Sequence, residues 1–281
     1  MAESDKEKKD KKRHEFARMM DAHRQEWDKF GMARLTPVWE KDRKAIRSIF
    51  RATSSPTEAL ERIKSYYTHQ AGLGWKLALK SLWVETGRAT IGYIHAFLTG
   101  KDVSKPITKQ DEDVEDVVPD WEQTVNDLIQ GSAFKDKIVG IDETTQDSIR
   151  STIADGIKNG DSHFEIGQAV DSMLGDSWDG RGQTISRTEA NSAMNAASLQ
   201  TMKATVPDLN KTWSTTGLDN VREAHADADG QSVAMDNTFD VGGEDLDHPG
   251  DPSGSDWNII NCACTILCES ASGEQTEEET E

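Results

Sequence analysis

The residues with the most chemistry to offer lie in the last third of the sequence. Cys262 and Cys264 form a C-x-C pair, and His225 stands upstream of them. Thiolate and imidazole are the donors that zinc prefers, and a closed structural site takes four. His225, Cys262 and Cys264 are therefore candidate metal ligands, with His248, Cys268 or a carboxylate as the fourth. The usual C-x₂-C spacing is missing, and buried thiols that merely fill a core are the competing reading. Residues 225–236 also read H-x-D-x-D-G-x₅-D, close to a calcium loop with Gly230 at the sharp turn. His225 opens it and Asp236, one methylene short of a bidentate Glu, closes it, so a polar turn with Asp227 and Asp229 in solvent is expected. Arg187, Thr188 and Glu189 fall in a helical pattern. Residues two apart face different sides, so Arg187 is expected to bridge to a carboxylate on a neighbouring element. There is no Gly-rich phosphate loop, nucleophile elbow or H-E-x-x-H. A catalytic reading needs Glu189, His225 and the cysteines to converge on a metal.

The elements that position these residues can be read from periodicity. Apolar residues from Phe16 to Phe50 recur at rough helical spacing with Pro37 as a break, predicting two exposed amphipathic helices. Ser55 and Pro56 start another helix. Ile149, Ile153 and Ile157 form an i, i+4 stripe on a helix begun near Asp142 or Thr144 and closed by Gly160. Ser162-His163-Phe164-Glu165 is a capping box opening a helix that stops at Gly175. A loop to Gly182 is expected next, then an Ala-rich helix from about Gln183 to Lys203 with Ile185, Ala193, Met194 and Ala197 inward. Residues 211–215, 233–235 and 238–241 read as short strands between turns. The fold class is α+β: a helical N-terminal region, then helices packed on a small C-terminal mixed β-sheet.

Composition sets the outer limits. The 281 residues carry a net charge of −19 and are 35% hydrophobic, below an ordinary domain's share, so part of the chain is expected outside any core. The most apolar stretch, 73–98, is broken by Lys76, Lys80, Glu85 and Arg88, which argues against a membrane span. The N-terminal stretch has charges but no apolar core or small-residue cleavage site, so export by a leader is not expected. Three cysteines, odd in number and clustered near the C-terminus, suit a reducing compartment. Residues 1–105 balance to +8, with 22 Lys and Arg against 14 Asp and Glu, whereas residues 106–281 balance to −27. A basic arm at Lys8, Lys9, Lys11, Lys12 and Arg13 is a candidate DNA contact, with a solvated tail as the competing reading. The expected division is a disordered basic tail at 1–13, a helical region at 14–105, an acidic linker at 106–119, a second domain at 120–270 and a disordered acidic tail at 271–281. Eight tryptophans stand out, some expected in cores and others as interface anchors.

The order of the C-terminal residues is more informative than any one of them. Arg187-Thr188-Glu189, Trp213, Arg222, His225, Gly230, Phe239, His248-Pro249-Gly250 and Asn261-Cys262-Ala263-Cys264 follow one another along the chain. This series resembles the phage Mu F-like head morphogenesis family, the MuF minor capsid proteins of tailed bacteriophages, from about residue 141 to 267. Ala263 departs from the family pattern, which has an arginine between the cysteines. The resemblance implies a non-enzymatic minor virion protein in the head interior at the portal vertex, present in the host cytoplasm during assembly. It implies the portal protein as partner, and packaged double-stranded DNA and the major capsid or scaffolding protein as further contacts. The alternative is a metal-dependent nuclease or toxin-like effector delivered with the phage genome.

Overall fold

A computed structural model describes residues 4–100, 117, 118 and 120–269. The expected acidic linker at 106–119, apart from Val117 and Val118, and the tail at 271–281 lie outside the described residues. The helices are α1 (Asp5–Arg51), α2 (Pro56–Tyr66), α3 (Gly72–Leu98), α4 (Trp121–Gln130), α5 (Ser132–Asn159), α6 (His163–Asp176) and α7 (Trp178–Thr205), with a π-helical turn, Tyr67–Ala71, before α3. Strand β1 (Asn210–Ser214), helix α8 (Glu223–Ala228), strands β2 (Ser232–Ala234), β3 (Phe239–Val241) and β4 (Glu244–Leu246), helix α9 (Asp256–Ile259) and strand β5 (Thr265–Glu269) complete the chain. The α+β class holds.

Several expected boundaries move, among them the start of α5, which lies at Ser132 rather than near Asp142 or Thr144. Residues 14–50 form one helix rather than two, and the helix starts at Asp5, so residues 5–13 are helical rather than a disordered tail. Pro37 and Ala33, the residue whose carbonyl loses its partner, are both exposed, so water can satisfy the orphaned oxygen and the helix continues. Only Ser177 separates α6 from α7, where a loop from Gly175 to Gly182 was expected. On α5 the buried face runs Ile149, Ile153, Gly156, while Ile157 is 55% exposed. A strict i+4 series drifts off a face of period 3.6, and the i+3 step lands on Gly156. A Cβ there would lie 2.6 Å from Ile166 of α6, so the glycine lets the two helices close. Gly160, at φ 81°, and the reciprocal Ser162–Glu165 box end one helix and begin the next as the sequence predicts.

The chain forms two compact units built from separated segments, divided within α1, α3, α4 and α7. The first comprises residues 1–28, 83–124 and 187–281. Its sheet has the order β2-β1-β5 and is antiparallel throughout, with Trp213 opposite Ile266. The expected mixed sheet is thus purely antiparallel. A β3–β4 hairpin turns at Gly242 and Gly243, both at positive φ, which a two-residue turn of matching twist requires. Phe16, Met20, Met194, Leu199, Trp213, Phe239 and Ile266 pack in one core, so both the start of α1 and the last part of α7 cover the sheet region. From Thr188 to Leu199, α7 is buried on every side.

The second unit comprises residues 29–82 and 125–186 and is helical. Trp39 stacks on Trp178 at 4.9 Å and donates its indole N–H to the Leu174 carbonyl. Arg43 and Arg47 both clamp Asp171 of α6. A buried polar group lies among Asp42, Tyr66, Tyr67, Trp75, Asp142 and Arg181, where Tyr66 and Trp75 donate to the Asp42 carboxylate.

Candidate functional site

The Arg-Thr-Glu triplet lies on a helix surrounded by protein, where successive side chains point about 100° apart. Each therefore reaches a different element of the first unit. Arg187 Nε lies 3.7 Å from Asp28 of α1, the bridge to a neighbouring carboxylate expected from spacing. Thr188 Oγ1 accepts the Asn261 backbone N–H at 3.1 Å. Glu189, buried, accepts the Trp83 indole N–H from α3 at 2.9 Å. About two turns further on, Asn195 donates to the Cys264 carbonyl and accepts the Ile266 N–H. Ser192 packs against Gly250, whose φ of 75° only glycine adopts freely and whose Cβ would lie 2.8 Å from the Ser192 hydroxyl. The motif is a set of struts from α7 to α1, to α3 and to the segment that carries the cysteines.

Asn195 escaped the sequence reading, although a polar residue of low helix propensity in the middle of an Ala-rich helix was a usable signal.

On that segment, Asn261 takes a positive φ of 57°, and the chain then carries Cys262 and Cys264 inward while Ala263 stays half-buried. His225 comes from α8. Its Nδ1 lies 3.3 Å from Cys264 Sγ and 3.7 Å from Cys262 Sγ, and the three side chains are 2–4% exposed. The Cys264 backbone N–H donates to Cys262 Sγ at 3.4 Å. Trp213 stands edge-on to the His225 ring at 5.6 Å and to Phe239 at 5.4 Å. The hydrogen bond shared between the thiols, opposed by burial and aided by His225, holds Cys262 well below the usual thiol range; the same shared bond, with burial, pushes Cys264 up.

The structure thus brings His225, Cys262 and Cys264 together, and among the described residues no other such cluster of potential ligands occurs. The expected fourth donors lie elsewhere. The His248 Nδ1 faces the Pro249 carbonyl, and Cys268 sits on β5 opposite Lys211. Asp229, expected in solvent, receives Arg13, His14 and the Thr215 N–H, each at 2.8 Å. Burial raises its pKa, but the Thr215, His14 and Arg13 contacts outweigh that and hold it below the usual carboxylate range. Asp236 pairs with Lys203 instead, so the calcium-like spacing does not assemble a loop of ligands. Glu189, held by Trp83, does not join the thiols either, and the convergence a metal-dependent nuclease would need is not formed.

The basic arm divides. Lys8, Lys9, Lys11 and Lys12 are exposed, with Lys8, Lys11 and Lys12 on one helical face. Arg13, grouped with them in the sequence reading, turns the opposite way, is 7% exposed and is paired with Asp10 and Asp229, which removes it from any phosphate-binding set. Gly230, at φ 82°, lies beneath its guanidinium. Arg222 donates to the Ile260 carbonyl and lies over the Trp257 ring at 5.9 Å.

Residues 147–267 match the model of the family described as Phage Mu protein F like protein. Over this stretch the chain is similar to the phage Mu F-like family. The matched region holds Arg187, Thr188, Glu189, Asn195 and the cysteine segment, whereas the strut partners Asp28 and Trp83 lie outside it. That family is one of bacteriophage head morphogenesis. No curated protein and no solved structure gives a match. Among the described residues, no helix is long and apolar enough to cross a membrane.

Proposed function

We propose that this protein docks on the portal vertex as a minor component of the phage head, through its Mu F-like domain, and that the start of α1 touches packaged DNA. The observation that carries the reading is Trp257, 71% exposed in an otherwise well-packed domain and covered on one face by the Arg222 guanidinium. Ile260, 38% exposed, adjoins it through the Arg222 bond to its carbonyl. An exposed tryptophan beside an arginine is the side-chain pair that dominates protein interfaces, because it buries a large area at little cost in rotamer freedom. Arg187, Thr188 and Glu189 act as struts between elements, which suits positioning rather than turnover.

The test is co-purification of the full chain with assembled portal rings. Wild type should be retained, and Trp257→Ala should lower retention at least tenfold with an unchanged circular dichroism spectrum. Equal retention of both would remove this face from the contact. Failure of the wild type to bind the ring would remove the portal.

A further inference from the structure

The geometry points to a metal centre in the Mu F-like domain, in which Cys262 Sγ, Cys264 Sγ and His225 Nδ1 bind one zinc-class divalent ion and water completes a tetrahedron. The three donor atoms lie within 4.8 Å of one another. Zinc bonds of about 2.3 Å to sulfur and 2.0–2.1 Å to nitrogen set a tetrahedral S···N edge of about 3.6 Å. The two S···N separations, 3.3 and 3.7 Å, straddle that edge, so an ion fits with shifts of tenths of an ångström.

The surroundings favour ligands over idle thiols. The Cys264 backbone N–H points at the Cys262 sulfur, and the Trp213 indole N–H, buried without a conventional acceptor, lies beside the Cys264 sulfur. The backbone donor stabilises negative charge on the Cys262 sulfur, and a dication bound between the two sulfurs would compensate the charge of both as thiolates in this buried place. His225 Nε2 has no partner in its buried place, so its ring is oriented by the atoms at Nδ1. All three side chains are closed off from solvent, which leaves a thiol nucleophile no substrate to reach but allows an ion to be taken up as the chain folds. The ion would tie α8 to the segment before β5, a link between parts of the chain that the sheet does not join directly.

The experiment uses the full chain, purified and then reconstituted with zinc or cobalt. The expected result is one equivalent of zinc by elemental analysis. The cobalt form should show thiolate-to-cobalt charge transfer in the near ultraviolet and the intense visible bands of tetrahedral coordination. A chelator should lower the melting temperature by several degrees. Cys268→Ser should keep the cobalt bands, and Cys264→Ser and Cys262→Ser should each lose the charge-transfer intensity. Should those two variants fail to fold, the wild-type cobalt spectrum and the Cys268→Ser control still decide. Substoichiometric zinc after reconstitution together with no charge-transfer band in the wild type, or bands that survive both Cys262→Ser and Cys264→Ser, would overturn the site.

Discussion

Asp142 is a side chain whose charge fits its surroundings poorly. Burial, and then the neighbouring charge of Asp42, push its pKa up to about 7, against a weaker opposing pull from Arg181. One carboxyl oxygen is buried without a partner, whereas Asp42 receives Tyr66 and Trp75. The folded chain therefore keeps the Asp142 proton up to about pH 7, while the unfolded chain releases it near 3.8. Between those values the native state binds the extra proton, so this group's contribution makes stability fall as pH rises. Asn, an isostere of the protonated acid, should flatten that fall. Asp142→Asn should gain stability at pH 8 relative to wild type, with a ceiling of about 4 kcal/mol from a shift of roughly three units, and match it near pH 4. Urea midpoints across pH measure this, and parallel wild-type and variant curves would refute it. Asn195 sets the opposite case, since its amide serves two backbone groups on the cysteine segment. Its truncation to Ala should cost about 2–3 kcal/mol, because two buried partners lose their bonds, read as a lower denaturant midpoint at constant m.

Helices set what the residues can reach, and here sequence and structure agree unevenly. Caps were legible because they are local: Gly160 and the Ser162–Glu165 box depend only on residues one turn away. The three donors were legible by chemical type, but not their meeting, since residues distant in sequence converge only when α7 fixes the segment before β5. Arg13 was misplaced because a charge run reveals nothing of which member faces a carboxylate more than 200 residues away. Pro37 misled for the reverse reason: a helix breaker is judged by local rules, and tertiary packing along α1 outweighed it. The local penalty should remain measurable. Pro37→Ala restores a helical N–H at an exposed site and should stabilise by about 1–3 kcal/mol; a loss of stability would mean that proline is needed for the course of α1. Gly87 gives the contrary prediction, as a Cβ there would meet the Trp121 ring at 2.1 Å. Gly87→Ala should displace that indole and cost about 1–3 kcal/mol or more by overpacking, seen as altered near-ultraviolet dichroism and a lower melting temperature.

At the scale of the whole chain, charge separates along the sequence more sharply than the net value of −19 suggests, with +8 in residues 1–105 and −27 in the remainder. An acidic body repels nucleic acid, so a phosphate contact has to be local, and the first turns of α1 offer the place. Lys8, Lys11 and Lys12 share a face there, while Arg13 on the other side is neutralised by Asp10 and Asp229. Three phosphate contacts release counterions with a slope of about −0.9 each in log affinity against log salt. Replacing the three lysines by alanine should therefore reduce the slope by roughly three at most, whereas Arg13→Ala should leave the slope unchanged and instead lower stability by stripping Asp229 of a buried partner. Fluorescence anisotropy with a duplex of mixed sequence at several salt concentrations separates the two effects. A slope unaltered by the triple replacement would take the start of α1 out of DNA contact, and a slope altered by Arg13→Ala would show that its ion pairs open in solution.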